Sequence, residues 1–350
     1  MALDHDHAGE VLDGRYRLGP VIGRGGMATV RRGWHERAGI DIAVKLFEPV
    51  ADPDDLSGPQ VEATALTRVH HAGLVELIDV GRRRLADGTW QMYLVLELVA
   101  GPSLTARLRN GPLAPGEAAS LGRAAAEALS AVHDAGIVHR DVKPGNLLLT
   151  GDEQVLKVAD FGIARMLEAT RRTMTGTTLG TASYLSPEQA SGVQVRTPSD
   201  VYSLGLVLLE CLTGEKAFTG TVPEVAAARL VRDPDVPASL PPDWASLLRA
   251  MTARDPGVRP SATEVGMLLA DLAVRSPEPG SPAPVLEEMT LPVGDGLAAA
   301  EARVGVVEGL VHLRRQFEDL GLPDDRRAVV DAALGLLDDE VRRHATGGSA

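Results

Sequence analysis

The sequence predicts an α+β chain: a small strand-rich lobe, then a larger helix-rich lobe, then a helical tail. Three observations lead there. Apolar residues alternate with period two over residues 15–47 and an apolar run fills 92–99, the patterns of half-buried and buried strands. From residue 116 the period becomes helical. A Pro/Ser-rich stretch, SPEPGSPAP at 276–284, then separates this body from two further helical stripes, as a stiff, extended linker does.

Taken in order, the first strands are punctuated by Gly23, Gly25, Gly26 and Gly39. A helix is expected over about 59–69, opened by Gly58-Pro59, with Val61, Ala65 and Val69 on one face. Asp87-Gly88 between apolar segments signals a hairpin. Leu121, Ala125, Leu129 and Val132 fall at helical spacing until Gly136 stops the run. A buried helix is expected at 199–213, ended by Gly214, and helical pattern continues to about 274. The expected organisation is a disordered N-terminus at 1–12, lobes at 13–99 and 100–274, a linker at 275–295 and a tail at 296–345. In the tail, Val304, Val307 and Val311 make one stripe and Val330, Leu334, Leu337 and Val341 another. Gly321-Leu322-Pro323 breaks them apart, which predicts a helical hairpin.

Composition narrows the function. With 48 acidic and 35 basic side chains the formal charge is −13, which argues against a general nucleic-acid binder. A single cysteine, Cys211, excludes a disulfide-stapled scaffold. The segment MALDHDHAGE has no apolar core and does not read as a secretory signal. No run reaches the roughly 18 apolar residues of a membrane span, so a soluble, cytoplasmic protein is expected. No Cys/His grouping has zinc spacing. Of the basic residues only Lys45, Lys143, Lys157 and Lys216 are lysine, and lysine and arginine are not interchangeable at a phosphate.

The chemistry-bearing motifs begin with Gly23-Arg24-Gly25-Gly26-Met27-Ala28-Thr29-Val30 after a strand. Glycines there let backbone N–H groups approach phosphate oxygens. Next comes Ala43-Val44-Lys45 on a strand, where period two sets Ala43, Lys45 and Phe47 on one face. An ammonium on such a face needs an anionic partner unless it snorkels to water. Then follow His139-Arg140-Asp141-Val142-Lys143-Pro144-Gly145-Asn146 and Asp160-Phe161-Gly162.

With Ser186-Pro187-Glu188, Asp200-Val201-Tyr202-Ser203-Leu204-Gly205 and Arg254-Asp255-Pro256-Gly257-Val258-Arg259-Pro260, these motifs resemble the signature set of the eukaryotic-type protein kinases. The likeness covers about residues 13–272. GGMATV, DVKPGN and SYLSPEQ are similar to the bacterial Ser/Thr kinases of actinomycetes. The resemblance implies the bilobal kinase fold, with a five-stranded sheet and one helix over a mainly helical lobe. It implies transfer of the γ-phosphoryl of ATP to protein Ser/Thr hydroxyls, with Mg2+ (Mn2+ as the alternative).

It also implies roles. Asp141 accepts the proton of the attacking hydroxyl, Lys143 contacts the γ-phosphate, and Asn146 and Asp160 hold the metal. Lys45 holds the α and β phosphates and is oriented by a helix glutamate, for which Glu62 is the choice. Ile22, Gly23, Gly25, Val30 and Ala43 border the nucleotide, Leu96 is the gatekeeper, and the backbone of Glu97 and Val99 binds the purine. Ala28 stands where the third glycine of the loop is usual. The segment 160–188 is rich in threonine: Thr173 and Thr175 match an autophosphorylated pair, Arg140 would dock the phosphate, and Thr181 would support Asp141. Glu188 with Arg259 is expected as a buried anchoring ion pair, Asp200 as structural support, and His139 as structural too.

Two rival readings stand beside this one, and a third, weaker, makes the tail the physiological business end with the kinase acting mainly on its own loop. A pseudokinase scaffold acting through the tail would lack one of Lys45, Asp141, Asn146 or Asp160, and all are present. A small-molecule phosphotransferase is disfavoured by Lys143 and the long segment ending in Ser-Pro-Glu. The tail stripes require burial; docking on the large lobe and homodimerisation are equally open, and a regulatory partner is a third course. Many bacterial relatives carry a membrane span after the linker, and its absence here points to a cytosolic regulator.

Overall fold

The alternation over residues 11–47 becomes β1 (Val11–Leu12), β2 (Tyr16–Arg24), β3 (Ala28–His35) and β4 (Ile40–Phe47), joined by β5 (Leu77–Arg84) and β6 (Trp90–Glu97). The computed structural model describes residues 10–26, 28–150, 155–160 and 182–275, with the side chain of Glu62 outside that set. The strands form one sheet in the order β1-β2-β3-β4-β6-β5, with every pairing antiparallel. Six strands stand where five are implied. The sixth is β1, which pairs Leu12 with Tyr16 and buries Leu12. Ordered structure therefore starts ahead of residue 13, because an apolar Leu12 facing the sheet is worth more buried than solvated. The hairpin between β5 and β6 turns at Gly88, φ +87°, a conformation that costs glycine little.

Period two gives β4 two working faces. Ile42, Val44 and Leu46 pack with Tyr16, Leu18, Tyr93 and Val95. On the opposite face Phe47 packs with Ala28, Met92 and Leu94, and with Leu56, Ala63 and Leu66 around helix α1 (Ser57–Leu66). The expected helix face is wrong. Val61 is 72% exposed and Ala65 is exposed, whereas Pro59, Ala63 and Leu66 are buried. A short helix rich in small residues offers more than one apolar stripe, and contact with the sheet picks the phase.

The second lobe comprises α2 (Leu104–Leu108), α3 (Pro115–Asp134), α4 (Pro187–Ala190), α5 (Thr197–Thr213), α6 (Val222–Val231), α7 (Pro242–Met251) and α8 (Ala262–Arg275), with a small ribbon of β7 (Leu147–Leu149) and β8 (Leu156–Val158). Leu121, Ala125, Leu129 and Val132 of α3 are buried with Leu208 of α5, Trp244 and Leu248 of α7, and Val265 and Leu269 of α8. Gly122 is what lets these helices meet: a Cβ there would lie 2.7 Å from Leu208 Cδ2 and 3.1 Å from Leu269 Cδ1. The α5 helix ends at Gly214, φ +76°, as its sequence predicts.

The chain divides into two units, 1–281 and 282–350. The expected linker and helical hairpin at 276–345, and the N-terminal residues 1–9, lie outside the described residues. Among the described residues no helix is long and apolar enough to cross a membrane.

Candidate active site

Loop 139–146 is held from below by α5. Asp200, in the first turn of α5 and 1% exposed, accepts the backbone N–H of His139 (2.8 Å) and of Arg140 (2.7 Å). Its Oδ2 also meets His133 Nε2 at 2.9 Å. These bonds hold Arg140 at φ +66°, a left-handed conformation rare for a side-chain-bearing residue and typical of functional loops. His139 is fully buried. Its Nε2 lies 3.0 Å from Ala159 O, and its Nδ1 accepts the Asp141 N–H at 3.3 Å, so the ring is the neutral tautomer protonated on Nε2. It thereby ties the residue before Asp160 to Asp141.

Burial is the main cause that lowers the pKa of His139, against the carboxylates of Asp200, Asp141 and Asp160, which raise it. A base whose folded pKa is depressed contributes its full stability above the unfolded value near 6.5 and loses it as pH falls below that value. His139→Gln is therefore expected to flatten the fall in unfolding midpoint between about pH 7 and pH 5. Denaturant titrations of both proteins at several pH values check this, and parallel curves would refute it.

The loop then presents its polar side chains together. Lys143 Nζ is 2.7 Å from Asp141 Oδ2. Asn146 Nδ2 donates to the same Oδ2 at 2.9 Å and to Asp141 O at 2.8 Å. Ala159 N–H donates to Asn146 O at 2.8 Å, and β7 pairs with β8 through Leu147 and Val158. Asp160 is thus carried to the same place from the following strand. From the first lobe, Lys45 reaches across, its Nζ 2.8 Å from Asp160 Oδ1 and 5.4 Å from the Phe47 ring centre. Lys45 is 7% exposed, so the expected anionic partner is present. For Asp160, burial pushes the carboxyl up, but the charge and hydrogen bond of Lys45, followed by Lys143 and His139, hold it below its ordinary value. It stays ionised near neutral pH.

Lys45, Asp141, Lys143, Asn146 and Asp160 converge in one crevice between the lobes. The donor set fits a divalent metal. Among the described residues the Asn146 side chain donates through Nδ2 to Asp141, which leaves Oδ1 without a described donor, while the backbone O of Asn146 accepts from Ala159, the neighbour of Asp160. Such hard oxygen ligands suit magnesium-type cations. The side chain of Glu62, and the residues Thr173, Thr175 and Thr181, lie outside the described residues.

The positions expected to border the nucleotide lie on β2, β3, β4 and β6 and beside them. Gly23 pairs with Val30 across the β2–β3 hairpin, and Val30 with Lys45. Gly25 N–H donates to Ala28 O at 2.9 Å, closing the glycine turn around the alanine. Ile22 is 52% exposed. Ala43, 8% exposed, pairs with Leu96. Glu97 N–H is bonded to Glu76 O at 2.9 Å, and Val99 is half-buried.

Sequence reasoning missed a tie at the end of β6. Lys157 on β8 donates to Glu97 Oε2 at 2.7 Å, and the same oxygen accepts Glu76 N–H at 3.3 Å. The scarcity of lysine had marked Lys157, but its partner lies 60 residues away and no local pattern points to it. Gln189 is another omission: its Nε2 donates to Arg140 O at 2.8 Å, linking α4 to the residue before Asp141. The expected pair of Glu188 and Arg259 is present and bidentate, at 2.7 and 3.0 Å.

A glycine hairpin, a buried strand lysine, a carboxylate beside a lysine, and two side chains with hard oxygens between a β lobe and a helical lobe define a protein-kinase architecture. Comparison with known proteins agrees: residues 16–267 match the protein kinase domain, and the chain belongs to that family. It is 38% identical over 256 residues to the serine/threonine-protein kinase PknA of Mycobacterium tuberculosis, covering 72% of this chain and 59% of that one. It is 39% identical over 259 residues to PknL of the same species, covering 71% and 63%. To a probable serine/threonine-protein kinase of Streptomyces coelicolor it is 40% identical over 258 residues, covering 71% and 38%. The chain thus matches less than two thirds of the length of each of these relatives. The family implies ATP and a divalent metal.

Proposed function

We propose that this chain is an ATP-dependent serine/threonine protein kinase, acting in the cytoplasm on protein hydroxyls with Mg2+ as the metal. The observation that carries the reading is the convergence of Lys45 with Asp160 and of Lys143 and Asn146 with Asp141. The printed names of its bacterial relatives support it.

Phosphoryl transfer asks a protein for positioning and charge neutralisation rather than covalent chemistry. Asn146 Oδ1 and the Asp160 carboxylate would hold magnesium, which supplies neutralisation of phosphate charge. Lys45 would orient the α and β phosphates, and the backbone of Gly23 and Gly25 would approach them without side-chain obstruction. Asp141 would align the acceptor hydroxyl and take its proton, with Lys143 beside it for the γ-phosphoryl oxygens. Glu62 would orient Lys45, Glu97 and Val99 would bind the purine, and Thr181 would support Asp141. Switching would come from phosphorylation at Thr173 and Thr175, docking on Arg140. The kinase domain would run over 13–274 and the tail at 296–345 would serve dimerisation or a regulatory partner.

Incubation of the purified chain with labelled ATP and magnesium tests this. Label is expected on the protein itself, mapping by mass spectrometry to Thr173 and Thr175, and on added casein. Lys45→Met is expected to abolish it. Absence of label on any protein in the unaltered chain would sink the proposal.

A further inference from the structure

Lys45 leans on an aromatic face. Its Nζ lies over the ring of Phe47, 5.4 Å from the ring centre, inside the distance at which a cation is drawn to a π cloud. Both residues are buried, so little water screens the pair. They stand two apart on β4 and share one face of the strand, the face that carries the ammonium to Asp160. An aliphatic side chain would fill the same apolar site, and the chain, 44% hydrophobic, uses phenylalanine only four times. The ring is explained by the charge above it.

That ring is fixed from several sides. Phe47 O accepts Gln91 Nε2 at 2.7 Å, and Gln91 Oε1 is held in turn by Arg83 Nε at 2.9 Å and Nη2 at 2.7 Å. The side chain packs with Leu56, Ala63 and Leu66 around α1 and with Met92 and Leu94 of β6. Phe47 also pairs with Ala28, whose carbonyl closes the glycine turn. One residue thus meets α1, the base of the glycine turn and the ammonium.

A ring and a carboxylate hold a lysine differently. Asp160 offsets its charge and takes one of its donors, and as a proposed metal ligand Asp160 has its own charge to share. The ring attracts the ammonium through its quadrupole and leaves the full positive charge in place. We propose that Phe47 is a positioning residue for the nucleotide: its face steadies the Lys45 ammonium over β4 while the charge stays available to the α and β phosphates. The inference rests on the kinase reading and adds what holds the phosphate-binding amine from below.

The test replaces Phe47 in the full chain, by amber suppression, with mono-, di- and trifluorinated phenylalanine. Fluorine leaves the shape and apolar packing of the ring almost unchanged and weakens its negative face step by step. Binding of ADP and of adenosine is measured by calorimetry. ADP affinity is expected to fall with each fluorine, reaching roughly fivefold with three. Adenosine, which brings no phosphate to Lys45, should bind as before. Phe47→Leu keeps the apolar contact without the face and should give the same split between the two ligands. An ADP affinity blind to fluorine overturns the inference. So does an equal loss for both ligands, failure to fold included, because the ring would then serve the shape of the crevice alone. An unaltered chain that binds no ADP overturns the kinase reading with it, a result distinct from either.

Discussion

Asp141→Asn is expected to cut phosphoryl transfer by roughly 10²–10⁴-fold, the usual contribution of a positioned general base. Asparagine is nearly isosteric and its oxygen can still accept from Asn146 Nδ2, now 2.9 Å from Asp141 Oδ2. The backbone bonds at Asp141 O and at His139 do not involve the carboxylate. What disappears is the proposed proton acceptor and the charge partner of Lys143, 2.7 Å away. The ATP Michaelis constant should therefore stay near its original value while kcat collapses. Steady-state phosphorylation of casein, with binding of ATP measured separately, checks both halves. Retained turnover would remove Asp141 from the chemistry.

The largest effect on stability is expected at Glu188. Its carboxylate takes both Arg259 nitrogens and also the Ser199 hydroxyl at 2.6 Å, and the Arg259 side chain is 0% exposed. Burial raises the Glu188 pKa, but the bonds from Arg259 and Ser199 more than offset this and hold it below its ordinary value. Glu188→Ala leaves a buried guanidinium with only the carbonyls of Ala253, Pro198 and Arg254. Breaking such a pair from one side costs about 3–5 kcal/mol. Replacing both partners together, as Glu188→Met with Arg259→Met, should recover much of that loss, since no unpaired charge remains. Urea denaturation of the single and double variants distinguishes this from simple loss of packing, which would make the double variant worse. A single-variant cost below about 1 kcal/mol would show that the pair contributes little.

The site was legible to different depths. Lys45, Asp141, Asn146 and Asp160 could be named because the motifs that carry them resemble a signature set whose spacing spans the chain, and each brings an amine, amide or carboxylate that charge and metal chemistry can use. The helix face of α1 could not be read, because Val61 and Ala63 look equally burial-prone until the sheet is present to choose between them. Lys157 with Glu97, Gln189 with Arg140, and Arg229 with the carbonyls of Ala182 and Leu185 were invisible for one shared reason. Each joins residues distant in the chain, and three of the acceptor groups involved are backbone carbonyls, which every residue has and no sequence marks.

By itself the sequence determined the order of strands and helices, the boundaries marked by Gly88 and Gly214, and the chemical identity of the groups that meet in the crevice. These follow from local conformational limits and from the need for specific acids, amides and amines. Only the tertiary structure decided which buried charges have partners. Whether Lys45 is neutralised by Asp160, or Arg229 meets only carbonyls among the described residues, depends on distances of a few ångströms between segments far apart in the chain, and Coulomb and hydrogen-bond energies are set by those distances.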